Sequence, residues 1–390
     1  MNIDELLSRG VAEVIVESEL RTKLQSGKPL RLKMGFDPSK PDLHVGHAVG
    51  LRKLRQFQEL GHTVVLIVGD WTARVGDPSG RDETRQMLTA EQVRANAETY
   101  MQQFFHIVDR ERSEVRWQSE WFEKFTLADV FNLTSRFTMQ QLLAHETFRK
   151  RNDEGNPVTI MELMYPLLQA YDSVAINADV EFGGMDQKFN ILAGRELMRS
   201  LGMDPQQVLL VPLLVGMDGR KMSKSFDNTV DLTMPPSEMY GRVMAMSDDV
   251  IVPYFESVTD VPMVDVDQLK DALRHGTNPR DLKMRLAREI VTQFHDGAAA
   301  TEAEAYFRRT VQRGEVPEDM PEHAIAAATN IVDLLAEAGL APSKSEARRL
   351  IAGGGVRIDG EKVGQDATIE PNGARVVQVG KRKFVRVVPA

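Results

Sequence analysis

Cysteine is absent from the 390-residue chain, which excludes disulfides, thiolate nucleophiles and cysteine-based zinc sites. No apolar run approaches the roughly 20 residues of a membrane span. Met1 to Leu20 mixes acids with apolar residues and lacks the basic start, long apolar core and cleavage pattern of a leader, so a cytoplasmic protein with no membrane contact is expected. The eight histidines are scattered apart from the pair at 44 and 47, so no metal site is visible. Low-complexity tracts and internal repeats are missing too. Nor is there a surplus of positive charge, with 48 basic residues against 57 acidic ones and a net charge of −9. Spread evenly, that balance would argue against nucleic acid as a partner. It is not even: from Ser343 onward there are ten basic residues against five acidic ones. An acidic body with a basic terminal module divides two tasks between two parts of one chain.

What is present suits an ordinary globular protein, 42% hydrophobic and 27% charged, with two or three domains and ample core. One stretch organises the rest: Lys221-Met222-Ser223-Lys224-Ser225 follows the apolar run Val208 to Val215 and the turn residues Gly216, Asp218 and Gly219. Two lysines at i, i+3 with hydroxyls between them can wrap a triphosphate. Far upstream, Leu30 to Phe36 reads as a strand broken by Pro38 and Pro41, followed by helical periodicity from about Leu43 to Leu60. His44 and His47 fall in that helix's first turn, where unpaired N–H groups and the dipole favour an anion. Gly46 between them leaves room for a base to pack on the backbone.

The run Thr63 to Gly69 is apolar enough for a buried parallel strand, so strand, helix and strand make a βαβ unit with ligands at the strands' carboxyl ends. Asp77, in Gly76-Asp77-Pro78-Ser79-Gly80, lies near such an end and reads either as a plain turn or as a carboxylate for an amino group. Thr89 to about Lys150 reads as a mostly helical insertion, with Trp117 to Glu120 a short strand and cap. Its end, Arg149-Lys150-Arg151, reads as a solvated helix terminus or a contact for an RNA acceptor arm. The helix from Ile160 to Ser173 has two faces: Ile160, Leu163, Met164 and Leu167 form a stripe for the core or a dimer interface. Opposite them, Tyr165, Gln169 and Asp172 set a phenol, an amide and a carboxylate in one row, suited to a small polar substrate. Val174 to Val180 reads as a strand leading to Gly183-Gly184-Met185-Asp186-Gln187, which reads either as a simple Gly-rich turn or as a site where paired glycines admit a ribose and Asp186 can take its hydroxyls. A helix follows to about Leu201. Helices are expected from Pro235 to about Glu322, a linker at Ala324 to Asn330, a capping box of Ser343 with Glu346, and terminal strands from Val356 and Val376.

His44-Val45-Gly46-His47 resembles the HIGH signature and Lys221 to Ser225 the KMSKS signature of class I aminoacyl-tRNA synthetases. Within that class the chain resembles the bacterial tyrosyl-tRNA synthetases from end to end, through Gly35-Phe36-Asp37-Pro38-Ser39, Gly76 to Gly80, Tyr165-Pro166-Leu167-Leu168-Gln169-Ala170-Tyr171-Asp172 and Gly183 to Gln187. Its C-terminal segment is similar to an S4 RNA-binding domain. The resemblance implies an α/β fold: a Rossmann-like parallel-sheet catalytic domain with a helical insertion (1–230), an α-helical anticodon-arm domain (231–325) and a small α+β S4-like domain (331–390). It implies a homodimer acting on L-tyrosine, ATP with Mg²⁺ and tRNA(Tyr), with no tightly bound cofactor. Ser39, His44, His47, Lys221 and Lys224 are then catalytic, and Asp37, Gly46, Gly184, Asp186 and Lys224 hold ATP. Asp77, Tyr165, Gln169 and Gln187 serve the amino acid's backbone end, Asp172 its hydroxyl. Lys344, Arg348, Arg349 and Arg357 contact RNA by shape and phosphate. Many bacterial members carry tyrosine where this chain has Lys33. Because Lys33 shares a strand face with Gly35 and Asp37, it is expected to turn toward the tyrosine pocket, pairing with a carboxylate or bonding the substrate, or else to lie in solvent. A tryptophan-specific synthetase is a rival reading that the row Tyr165, Gln169 and Asp172 and the S4-like tail oppose. A smaller nucleotidyltransferase is opposed by the intact lysine loop, and a non-catalytic RNA-binding relative by the intact histidines and lysines.

Overall fold

The computed structural model describes residues 2–38, 42–79, 88–220, 222, 226–313, 320–380 and 383–390. Ser39, Lys221 and Lys224 therefore lie outside the described residues. Strands β1 (Glu13–Ile15), β2 (Arg31–Phe36), β3 (Thr63–Val68), β4 (Ser113–Trp117), β5 (Val180–Gly184) and β6 (Gln207–Val211) form one sheet in the order β1-β6-β5-β2-β3-β4. All neighbours are parallel except β1, which runs antiparallel to β6. Strands covered on both faces need apolar residues at every position. β3 meets that requirement, with Val64 to Val68 no more than 2% exposed. Chain order proceeds from β2 to β3 and β4 on one side and to β5 and β6 on the other, so the crevice opens beyond the carboxyl ends of β2 and β5. Asp37 follows β2 and Gly184 ends β5.

Helix Val45–Glu59 buries Val45, Leu51, Leu54 and Phe57 and begins at His44, whose extended backbone (φ −121°, ψ 168°) makes it the N-cap. Helix Ile160–Ile176 runs three residues beyond its expected end, and this corrects the strand expected at Val174 to Val180. Ile176 packs against Val65, Ile67 and Trp121, so burial of a helical face overrides β propensity there. Asn177 then closes the helix in the left-handed region (φ 50°). Of the apolar stripe, Leu163 and Leu167 enter the core while Ile160 stays 79% exposed. Arg151 is not a solvated helix end: it is 2% exposed and its guanidinium pairs with Glu162 at 2.6 Å. Trp117 ends β4, and Ser119–Phe122 is helical.

The chain divides into two compact units, 1–235 with 242–294 and 236–241 with 295–390. In the second, β7 (Glu322–Ile325), β9 (Val356–Ile358), β10 (Glu361–Lys362), β12 (Arg375–Val379) and β13 (Lys383–Pro389) form a sheet ordered β10-β9-β12-β13-β7, while β8 (Thr329–Asn330) pairs with β11 (Thr368–Ile369). Helices Ile331–Glu337 and Lys344–Ala352 cover a core of Leu334, Leu335, Ile351, Val377 and Val385. The stretch Ala324 to Asn330 is thus no plain linker, since its ends lie in β7 and β8. Ser343 caps its helix by accepting from the Glu346 N–H at 3.2 Å. Among the described residues no helix is long and apolar enough to cross a membrane.

Candidate active site

A cavity of about 360 Å³ opens at the β2/β5 crevice, lined from one end by His44, Gly46, His47 and Met222, and from the other by Gln118, Gln169 and Asp172. The two histidines are fixed by backbone. His44 Nδ1 accepts from the Gly46 N–H and His47 Nδ1 from the His44 N–H, both at 3.2 Å, and the rings stand 4.0 Å apart. With both Nδ1 atoms acting as acceptors, the proton of each neutral ring sits on Nε2. Such a pair offers N–H groups to an anion at a helix start. A Cβ on Gly46 would come within 2.9 Å of the His44 ring, so glycine is what leaves room for that ring.

Next in the cavity, Asp37 Oδ2 accepts from the Tyr165 hydroxyl at 2.8 Å and Oδ1 from Thr72 Oγ1 at 2.6 Å. Burial, then the Asp37 charge, hold the Tyr165 phenol well above its usual range, so it stays a neutral donor and acceptor. Gly69 permits this arrangement, because a Cβ there would lie 2.3 Å from Asp37 Oδ1. Asp77 accepts from the Ser79 N–H at 2.8 Å and from Gln187 Nε2 at 2.7 Å. Gly184 and Asp186 line the wall at the end of β5, where a Cβ on Gly184 would meet Leu213 at 2.8 Å.

At the deep end Asp172 is 2% exposed. Its Oδ2 accepts from Gln118 Nε2 at 2.8 Å and its Oδ1 from Trp121 Nε1 at 3.2 Å. Gln118 has no freedom to turn its amide, since its Oε1 accepts from the Thr72 N–H at 2.9 Å and the Trp71 N–H at 3.2 Å. Burial pushes the Asp172 carboxyl up to about 7 against the pull of Lys33 and the hydrogen bonds.

Lys33 is not brought to the cavity. Of the alternatives open to it, the structure takes the carboxylate: Lys33 pairs with Glu181 at 2.9 Å behind helix Ile160–Ile176. In the second unit Lys344, Arg348, Arg349 and Arg357 are exposed. Lys344 pairs with Asp333 at 2.8 Å, Arg349 with Glu346 at 2.8 Å, and Arg357 donates to the Gly360 carbonyl at 2.8 Å. Gly69, Thr72, Gln118 and Trp121 carried no functional signal along the sequence. The rule that ligands sit at strand ends finds them, because Gly69 and Gln118 directly follow β3 and β4.

A family described as tRNA synthetases class I (W and Y) matches residues 25–312, and an S4 domain matches residues 330–372. The chain belongs to the class I tRNA synthetases of this tryptophan and tyrosine group. Within the group its relatives are tyrosine–tRNA ligases. That of Dehalococcoides mccartyi is 55% identical over 99% of this chain and 98% of its own, and that of Thermotoga maritima 50% identical over 98% and 96%. In fold it is similar to a C-terminally truncated mitochondrial tyrosyl-tRNA synthetase of Aspergillus nidulans (TM-score 0.66, 22% identity, 78% of this chain and 92% of that one). The tyrosyl-tRNA synthetase of Archaeoglobus fulgidus complexed with L-tyrosine is also similar (TM-score 0.62, 22% identity, 77% and 98%).

Proposed function

We infer that the chain is a tyrosine–tRNA ligase, which activates tyrosine with ATP and transfers it to tRNA. The observation that carries the residue roles is the polarity of one cavity. A carboxylate held by two neutral donors lies at its deep end, and a pair of histidines in contact on a helix N-terminus lies at the other. The tyrosine hydroxyl donates to Asp172, and the α-ammonium meets Asp77, Tyr165 and Gln169 with Gln187 orienting Asp77. The carboxylate is thereby aimed at ATP lying toward His44 and His47. Its oxygen attacks the α-phosphorus, a C–O–P linkage forms, and the bond to the β-phosphate oxygen breaks to release pyrophosphate. A hydroxyl of the terminal tRNA ribose then attacks the acyl carbon and AMP leaves. No protein nucleophile is needed, so catalysis is positioning plus stabilisation of phosphate charge by the histidines, Ser39, Lys221 and Lys224. Asp37, Gly46, Gly184 and Asp186 serve the nucleotide. ATP enters with Mg²⁺ on its phosphates, as substrate.

In this reading residues 1–230 do the chemistry, 231–325 approach the anticodon arm, and the 331–390 module grips RNA through Lys344, Arg348, Arg349 and Arg357 in the cytoplasm. Four large apolar side chains on the first unit, Leu127, Phe131, Met139 and Ile160, are 53 to 79% exposed and support a homodimer. Sedimentation of Phe131→Asp should report monomer where wild type reports dimer. Pyrophosphate exchange with all twenty amino acids should respond to tyrosine alone. Lys224→Ala should slow adenylate formation about 10² to 10³-fold with tyrosine affinity nearly unchanged. Weaker tyrosine binding without a slower chemical step refutes the lysine's role.

A further inference from the structure

Behind the cavity wall lies a charged group that the reaction above does not use. Lys33 on β2 and Glu181 on β5 are register partners in parallel strands, with side chains on the sheet face beneath helix Ile160–Ile176. They are 0% and 1% exposed in their side chains and pair at 2.9 Å. A buried ion pair is weak evidence of added stability, because desolvation offsets attraction and apolar residues serve as well. Its hydrogen bonds indicate another role. Lys33 Nζ donates to the Gln169 carbonyl at 2.8 Å and to Ser173 Oγ at 2.7 Å. Glu181 Oε1 accepts from Gln169 Nε2 at 3.1 Å, and Oε2 accepts from Ser173 Oγ at 3.1 Å and Gln206 Nε2 at 2.5 Å. The pair therefore holds Gln169 twice, by main chain and by side chain.

An amide has a donor end and an acceptor end, and which one faces a ligand decides what it binds. Gln169 lines the cavity beside Tyr165, with Asp77 also in the wall. Glu181 takes one of the two Nε2 hydrogens, which turns the nitrogen end of the amide toward that carboxylate and leaves Oε1 as its acceptor for a substrate cation. We propose that the Lys33–Glu181 pair is a positioning device that locks Gln169 as an acceptor and so selects amino acids through their α-ammonium group. A reversed amide would aim N–H at a cation. Gly194 lets a neighbouring helix close over the group, since a Cβ there would stand 2.8 Å from Gln206 Nε2 and 3.1 Å from Ser173 Oγ.

The inference rests on the cavity being the tyrosine site, and the test separates the two. Lys33→Met/Glu181→Met removes both charges with side chains of similar length. Calorimetry is run on L-tyrosine and on its des-amino analogue, 3-(4-hydroxyphenyl)propionate. The double variant should bind tyrosine about ten- to a hundredfold more weakly, the scale of one hydrogen bond to a charged group. Analogue affinity should change by less than about twofold, and adding Gln169→Met should cause no further selective loss. Equal losses on both ligands, no loss on either, or losses that add to those of Gln169→Met overturn the device. Should the Met pair not fold, Lys33→Leu/Glu181→Leu gives the same comparison, again removing both charges and the acceptor that holds Gln169. Wild type that fails to bind tyrosine, or binds it no better than the analogue, overturns the pocket reading instead.

Discussion

A carboxyl that titrates near 7, as Asp172 does, lies across the physiological range. A phenolic hydroxyl donates more strongly to the ionised form than to the protonated one, so tyrosine binding favours the ionised form and releases protons from the remainder. Affinity for tyrosine should therefore rise between about pH 6 and pH 8 with net proton release, and Asp172→Asn should flatten the profile and weaken binding about ten- to a hundredfold. Calorimetry in buffers of different ionisation heat measures the release. A falling profile, or an unchanged one in the variant, counts against the assignment. Stability should run the other way. Because the folded value lies above the ordinary 3.8, this group's contribution is complete below that value and is lost as pH rises through about 7. For the same reason the preference for tyrosine over phenylalanine should collapse in Asp172→Ala.

At the scale of elements, helix Val45–Glu59 must hold His44 and His47 still, and Lys53 is part of what anchors it. Lys53 is 3% exposed and donates to the Leu6 carbonyl of helix Ile3–Ser8 at 2.9 Å. Burial, with Arg9 and Arg52 nearby and Glu5 opposing, brings its amine down to about 7 from 10.5. The unfolded chain binds more protons between those values, so wild type gains stability as pH rises across that window. Lys53→Met should be more stable than wild type at pH 7 and below, with the gap closing toward 10.5 in denaturant melts. A constant gap refutes the account. Elements whose period matched their burial were legible in the sequence: β3 as an unbroken apolar run, and helix Ile160–Ile176 as a two-faced pattern. The start of β5 was not, because Val174 and Ile176 suit a strand and a buried helix face equally. Asp172 was legible as part of a row along its own helix. Gln118 and Trp121, which hold it, became neighbours only through the packing of β4 against β3.

For the whole molecule, the acidic body and basic tail seen in the sequence correspond to separate compact units, and the activities should come apart accordingly. A chain ending at Arg313 should keep pyrophosphate exchange, lose most tRNA charging, and show a shallower salt dependence of tRNA binding. Equal loss of both activities would make the tail structural. The cut belongs there rather than at Ile331, because β7 would otherwise keep its residues and lose its partner, leaving an open edge.

That edge also sets a clock. β7 runs parallel to β13, so Glu322 waits for Arg386, 64 residues later. At about 5 to 20 residues per second, a ribosome leaves β7 exposed for roughly 3 to 13 s before its partner is even synthesised. During that interval β7 has no native strand to pair with, while the first unit's sheet, complete at Val211, is already able to fold. Newly made chains should therefore pass through a state with the synthetic core assembled and the terminal sheet unformed. A chaperone that caps strand edges would find its substrate there.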